Sequence, residues 1–443
     1  MSKKLKFVHI TKCAGVNIED INTKKEWGRF DKEIELMFKS VDYRLWPFWH
    51  VPFQYLKKEQ LDEILKKYDL FTVVRNPYDR IISEYYCRWS GPGPNGILEE
   101  SKNIDDFNRF IRSRLLNVKQ KMKNNENIHQ HYTPQHYYFV DKEGNNIIKN
   151  VLKFENLSVE FNELMKKYGY EYSLVPKEVT KKNFGVLHLS YENISLIREI
   201  YKRDFEMFGY SMDIVSNESM KVLKEYGIDK LFYINLDNRV DRMKKMEKRF
   251  EKVGLEVERY SAVNKDHECV KKYSRPLKNL SYCTLSHMNL LKRSMKDKYR
   301  KVMIFEDDVM MIDDFLCRLV LMINYVKYKE GEVNLLHIDN SSLNFCLVEG
   351  IHKTKNAYLT GCYVISSEYL EKAIDLFKNS EKDDSFMEIE WVMINLQNLN
   401  KTYTSFPRLC LQEMMDSDIN LNNNLANWYK NSYFPKYSLD MYY

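Results

Sequence analysis

A chain of 443 residues is long for one domain and comfortable for two. With 32 tyrosines and 23 phenylalanines against 14 glycines and 10 prolines, it is neither disordered nor collagen-like and fits a globular α/β protein. A net charge of +6, from 69 basic and 63 acidic residues, argues against bulk nucleic-acid binding but allows local basic pockets for anions.

The first apolar run, Leu5 to Ile10, predicts a strand that turns through Thr11-Lys12-Cys13-Ala14-Gly15 into a helix. Leu, Ile and Lys at helical spacing predict a helix from Glu59 to Tyr68. "LFTVV" is a second buried strand, running into "RNPYDRIISEYY", where Pro77 suits the first turn of a helix. "WSGPGPNG" is a loop by its glycines and prolines, and the polar stretch from Lys119 to Gln130 is expected as an exposed loop. "KEGNN" is expected as a turn between strands at Tyr137 to Val140 and Ile147 to Phe154, with helices to follow near Val159 to Tyr168 and Ile194 to Phe208. After a mixed stretch, Met212 to Asp229, the plan restarts. "KLFYINL" is a buried strand, "NRVDRMKKMEKRFEKVG" a basic helix ended by Gly254, and "LEVERYSAV" the next strand. The expected division is a first domain over 1–212, a linker over 213–229 and a second α/β domain over 230–443, with no internal repeat.

Eight cysteines without a CxxC pair exclude a zinc ribbon or a thioredoxin-type motif and are simplest as free thiols in a reducing compartment. No run of about 18 apolar residues predicts a membrane span. The first strand lies too close to Met1 to leave room for a signal peptide. The expectation is a cytoplasmic protein of a bacterial or viral pathway.

Two strand ends carry cations. Lys12 sits in a glycine-containing strand-to-helix turn, a place that offers backbone N–H groups and a helix dipole to an anion. The turn lacks the spacing of a nucleoside triphosphatase loop, and taken alone it equally describes a solvated lysine. Arg75 ends the second strand, and Ser83 on the following helix is near enough to share one anion with it. Two parallel strands ending this way would make a two-anion site along one sheet edge. Arg80 has a plainer reading, pairing with Asp79 or Glu84 on the helix surface.

"FVHITKCAGVNI" resembles the 5′-phosphosulfate loop of carbohydrate sulfotransferases, and "VVRNPYDRIISEYY" their 3′-phosphate segment, R-x-P-x-x-R-x-x-S-x-Y. "HYTPQHYYF", "VLKFENL" and "IYKRDFEMFGY" are similar to later segments of that family, in order, so the resemblance covers about residues 5–212. It implies a P-loop-like fold with a central parallel sheet and sulfuryl transfer from 3′-phosphoadenosine 5′-phosphosulfate (PAPS) to a carbohydrate hydroxyl. Lys12 would contact the phosphosulfate, Gly15 would line its loop, and Arg75 and Ser83 would hold the 3′-phosphate. The acceptor needs a general base near neutrality. Family members often carry a base histidine between the donor loop and the arginine strand, which points to His50; a packed, hydrogen-bonded histidine is the alternative there. His131 is expected as structural or acceptor-binding, with His129 and His136 as further candidates, and His9 as a core histidine.

In the second half, "KVMIFEDDVMM" is an apolar strand ending in Glu306-Asp307-Asp308. Such an oxygen-rich cluster suits a hard ion such as Mn²⁺, although a solvated acidic turn is the alternative. "FYINLDNRVDRMKKM", "RYSAVNK", "CTLSHMNLLKRS", "TGCYVIS" and "FPRLCLQEMMDSDI" resemble successive segments of glycosyltransferase family 25 over about residues 230–420. That resemblance implies a GT-A-like, Rossmann-type domain transferring a sugar from a nucleotide sugar, a UDP-sugar by expectation. Glu306 and Asp308 would hold the metal or the ribose. Asn235, Arg239 and Arg242 would lie near the nucleotide, and Ser286 and His287 near the donor pocket, with a packing role equally open for Ser286. Glu390, or Asp384, is the candidate base. The reading is a bifunctional enzyme acting on a carbohydrate or glycoconjugate acceptor, with no nucleic-acid partner. Its alternative is a glycan- or nucleotide-binding protein with one or both sites inactive.

Overall fold

The computed structural model describes residues 4–22, 27, 50–87, 90–91, 103–175, 183–214, 219–274, 277–312, 314–338, 350–354, 360–382, 386–399, 401–406 and 409–413. The chain is a mixed α/β protein that divides into two compact units, Met1–Ile214 and Val215–Tyr443.

The first unit is organised on a parallel sheet in the order β1 (Lys4–Val8), β2 (Tyr68–Val74), β3 (Asn150–Lys153). All but the first residue of β1 and Asp69 of β2 are buried, the continuous apolar pattern of strands covered on both faces. Helix α1 (Gly15–Ile21) follows β1, and α2 (Lys58–Lys67) leads into β2. Helix α3 (Pro77–Tyr85) starts where expected: Pro77 occupies the first turn, and the Asn76 side chain accepts from the Tyr78 N–H at 3.0 Å.

Two expectations need correction. The stretch from Lys119 is not a loop from its outset, because α4 (Ile104–Lys123) runs five residues into it. Phe107, Ile111, Leu115 and Val118 give α4 a buried stripe. Asn103 caps its start, and Lys121 and Lys123 complement the dipole at its end. The second correction concerns "KEGNN". Its flanks pair only at the single bridge between Val140 and Asn146, the first flank is a 3₁₀ turn over Gln135–Tyr138, and the following strand is confined to β3. The unit closes with α5 (Leu157–Lys167), α6 (Tyr191–Ile200) and α7 (Lys202–Phe208). The helix expected from Ile194 to Phe208 is thus broken at Tyr201.

In the second unit α8 (Ser219–Glu225) precedes β4 (Ile228–Asn235), α9 (Val240–Lys252) and β5 (Glu258–Ser261). Gly254 ends the basic helix with a φ of 68°. Then come α10 (Asn279–Lys296), β6 (Lys301–Glu306), β7 (Val309–Met311), α11 (Phe315–Glu330), β8 (Leu335–His337), β9 (Gly350–Lys353), β10 (Cys362–Ser366), α12 (Ser367–Ser380), α13 (Ile389–Gln397), β11 (Thr402–Phe406) and β12 (Cys410–Gln412). The seven-stranded sheet has the order β5-β4-β6-β10-β8-β11-β9. It is parallel from β5 through β6 and mixed beyond, because β10 runs antiparallel to both its neighbours. A small ribbon pairs β12 with β7 directly after the acidic triplet.

Candidate functional site

The turn after β1 in the first unit holds two non-glycine residues in the left-handed region, Lys12 at φ 62° and Ala14 at φ 59°. Each such residue costs about 1–2 kcal/mol, so the loop must be held from outside. Arg80 holds it. This side chain is only 1% exposed. Its Nε donates to the Thr11 carbonyl at 3.1 Å, and its two terminal nitrogens donate to Thr11 Oγ1 at 3.2 Å and to the Thr133 carbonyl at 3.0 Å. The expected surface pairing with Asp79 or Glu84 is therefore wrong: Arg80 is an internal strut.

Gln135 is a second strut. Its side chain accepts from the Arg75 N–H and donates to the Arg75 carbonyl, both at 2.9 Å, and it also accepts from the Cys13 thiol at 3.4 Å. Asp204 on α7 fixes Gln135 in turn by accepting from its N–H at 2.8 Å. Asp204 also takes the backbone and ring N–H groups of His136, which gives that histidine a structural role.

Arg75 donates to the Lys12 carbonyl at 3.2 Å and lies 4.0 Å from the centre of the Phe154 ring. Its Nε is buried without a hydrogen-bond partner among the described residues. The Lys12 ammonium and the Ser83 hydroxyl take no hydrogen-bond or ion-pair partner among the described residues, although the Lys12 charge is felt at Cys87. Arg75 and Lys12 thus meet where the chain leaves the two parallel strands, while Ser83 lies on α3, the helix that follows Arg75.

Gly15 has a steric reason. A Cβ there would stand 1.8 Å from Nε2 of His9, whose imidazole lies over the turn. His9 is consequently not a core residue. It pairs with Glu19 at 2.9 Å and meets the His50 ring edge-on, with centroids 4.3 Å apart. His50 Nδ1 donates to the His9 carbonyl at 2.8 Å. A carbonyl only accepts, so this bond puts the proton on Nδ1 and the lone pair of the neutral ring on Nε2.

Sequence reading did not single out Glu84 and Cys87, which surround His131. His131 Nδ1 lies 2.7 Å from Glu84 Oε2. Burial disfavours the imidazolium, but Cys87 and Glu84 outweigh it and raise His131 to about 9. His129, by contrast, is driven down to about 4 by burial and by the neighbouring His131 charge.

In the second unit the acidic triplet is heavily engaged. Glu306 accepts from Thr360 Oγ1 at 2.5 Å and from Gln412 Nε2 at 2.9 Å, and His287 Nε2 lies 3.3 Å away. Burial would raise its carboxyl, but these partners, His287 first, hold it below the usual range. Asp307 accepts from Arg242 at 2.8 Å and from Asn235 Nδ2 at 2.7 Å. Arg242 also lies 3.9 Å from Asp308. Asn235 receives Arg259 Nε on its carbonyl oxygen at 2.9 Å, while Arg239 forks onto Asp241 at 3.1 and 3.0 Å.

Ser286 is a structural anchor. It is almost wholly buried, accepting from the Val263 N–H and donating to the Tyr282 carbonyl, both at 2.8 Å. Thr284 ties α10 to the start of α13 by accepting the Ile389 N–H at 3.0 Å, which brings Glu390 in the first turn of α13 to the same region. The Cys283 thiol records this convergence: burial, then the charges of Glu306, Glu390, Asp308 and Asp307, push it well above its ordinary value. Asp384 lies outside the described residues. Thr360 and Gln412 escaped sequence reading because they come from loops and strands 54 and 106 residues away from Glu306.

No described helix is long and apolar enough to cross a membrane. Residues 2–211 match the family model "Sulfotransferase family", and residues 228–393 match "Glycosyltransferase family 25 (LPS biosynthesis protein)". A "Glycosyltransferase 25 family member" of Drosophila melanogaster is 25% identical over 206 residues, 41% of this chain and 33% of the relative. A protein of the same description from Drosophila pseudoobscura pseudoobscura is 30% identical over 117 residues, 23% of this chain and 19% of the relative. The chain thus spans about a third and about a fifth of the length of these relatives. Both are fly proteins and lend no support to the bacterial or viral origin expected from the sequence. The two family matches indicate a transferase, and the chain resembles the sulfotransferase family in its first half and glycosyltransferase family 25 in its second.

Proposed function

We propose that the chain is a bifunctional glycan-modifying enzyme. Its first domain, 1–212, has a P-loop-like fold and moves a sulfuryl group from PAPS to a carbohydrate hydroxyl. Its second, 230–443, has a GT-A-like fold and moves a sugar from a UDP-sugar with the help of Mn²⁺. The observation that carries the reading is Arg75, after β2, donating at 3.2 Å to the carbonyl of Lys12 in the turn after the parallel strand β1. Cations and hydroxyls left without protein partners on an over-determined scaffold fit a doubly anionic nucleotide.

Bound PAPS supplies a sulfuryl group on a phosphate leaving group. Lys12 stabilises the negative charge that grows on that phosphate in the transition state more than in the ground state. Gly15 lines the phosphosulfate loop, its missing side chain making room for His9 over the turn, and Arg75 and Ser83 read the 3′-phosphate. His50 takes the acceptor's hydroxyl proton on Nε2, the nitrogen left basic by its bond to the His9 carbonyl.

The residues of the second site fit a hard divalent cation by charge and donor type. Four carboxylates bear on Cys283, and Arg242 is the cation that pairs into the triplet. Glu306 and Asp308 would hold the ion, which when bound offsets charge on a departing diphosphate. Asn235, Arg239 and Arg242 border the nucleotide, and Glu390 serves as base. One observation favours a second reading, sugar-nucleotide binding without transfer: both Glu306 oxygens already accept protein hydrogen bonds.

The deciding experiment incubates the full chain with sulfur-labelled PAPS and a panel of UDP-sugars, with and without Mn²⁺, and follows donor turnover. Turnover of PAPS without metal and of one UDP-sugar only with metal is expected. Tight UDP-sugar binding without turnover would establish the second reading for that domain, and inert PAPS would sink the first assignment.

A further inference from the structure

Helix α3 and the segment after α4 bring together three side chains that sulfuryl transfer does not use. Glu84 lies on the last turn of α3, Cys87 follows two residues after it, and His131 belongs to the segment that Arg80 braces. All three are buried, Glu84 completely, and one ligand atom of each lies within 4.8 Å of the other two. The Glu84 carboxylate is unevenly used. Oε2 faces His131 Nδ1 and accepts from Ser90 Oγ, both at 2.7 Å, whereas the buried Oε1 has no hydrogen-bond partner among the described residues. An unmatched buried carboxylate oxygen is costly, and it marks a place where something binds.

A thiol, an imidazole and a carboxylate form the mixed donor set of zinc; magnesium and calcium take oxygen alone. We propose that Glu84, Cys87 and His131 form a Zn²⁺ site that pins α3 to the loop around residue 131. A thiolate, a carboxylate and a neutral imidazole balance the charge of the ion, and the ligands' protons are released to solvent on binding. Three protein ligands leave a fourth position for water. Ser83 adjoins Glu84, and Arg80 precedes it by one turn, so the ion would fix the helix face that presents the donor-binding hydroxyl.

A second group with the same donor types, Cys283, His287 and Glu306, also lies within 4.8 Å and must be silenced in the test. The full chain carrying Cys283→Ser is stripped with chelator and titrated with Co²⁺, whose thiolate bonds absorb strongly in the near ultraviolet. The expected result is that band at about one Co²⁺ per chain, displaced by Zn²⁺. Adding Cys87→Ser abolishes the band. Adding His131→Ala or Glu84→Gln weakens Co²⁺ binding at least about tenfold, with circular dichroism confirming the fold. Glu84→Gln keeps the side-chain volume and so remains informative where Cys87→Ser does not fold. Absence of a cobalt–thiolate band in the Cys283→Ser chain, or a band unchanged by Cys87→Ser or by Glu84→Gln, overturns the proposal.

Discussion

Lys12, in the turn after β1, and Glu306, the last residue of β6, both follow buried strands, yet their charges are kept in opposite ways. Around Lys12 the scaffold is saturated and the functional group is not: Arg80 and Gln135 take up the loop's hydrogen bonds, and the ammonium is left over. Around Glu306 the functional carboxylate itself is part of the scaffold, through His287, Thr360 and Gln412. Solvation explains the difference. An ammonium needs only water around it, whereas a half-buried carboxylate at the end of an apolar strand is held by protein donors. A cationic site can therefore stand ready for its anion, while an anionic site in a core must share its ligands with the protein until a cation arrives.

The contrast is sharpest where the charges themselves are removed. Glu306→Gln with Asp308→Asn should take metal-dependent sugar transfer to background, a loss of about 4 kcal/mol or more in activation free energy, and should match the effect of EDTA on the unaltered chain. Metal-independent sugar transfer would break the comparison on the anionic side. Lys12→Ala should lower sulfuryl transfer by about 3 kcal/mol while sugar transfer persists, measured as kcat/KM for each donor. Wild-type-like sulfation would show that the unpaired ammonium has no part in the reaction. Arg75→Ala should weaken PAPS by about 2 kcal/mol relative to an analogue lacking the 3′-phosphate, read by competition binding. Equal losses for the two ligands would remove Arg75 from the 3′-phosphate.

A further prediction concerns burial of a neutral base in the second unit. Burial holds His337 down to about 4, below its ordinary 6.5. The unfolded chain then binds a proton that the native chain refuses. Its contribution is intact above about pH 6.5 and is lost as pH falls toward 4, with a slope of at most about 1.4 kcal/mol per pH unit. Urea unfolding of the second unit across that range should show the slope, and His337→Gln should flatten it.

Much of this arrangement was legible in the chain. Arg75 directly follows an apolar run, with Pro77 two residues on and Lys12 two residues past another, and local pattern suffices to put them near strand ends and helix starts. Glu306 was legible for the same reason. Arg80 was misread because a charged residue on a helix is normally solvated, although its neighbours Tyr78, Ile81 and Ile82 all belong to the buried side. The strand expected over Tyr137–Val140 begins inside a 3₁₀ turn over Gln135–Tyr138, since a short aromatic run has no period long enough to tell the two apart. The partners of Glu306, and the meeting of Cys87 with His131, depend on contacts made across the fold. No local signal reports such contacts.

The β7–β12 ribbon has a consequence for how the protein is made. Gln412, which steadies Glu306, lies 106 residues further along the chain, and the Glu413 N–H closes onto the Asp308 carbonyl beside it. During translation the acidic strand leaves the ribosome long before the residues that complete its surroundings. At roughly 5–20 residues per second, the nascent second unit spends several seconds with that carboxylate short of a donor. The surroundings of Glu306 are completed only once residue 412 has been made, and a chain stalled before residue 409 would have β6 without the ribbon that follows it.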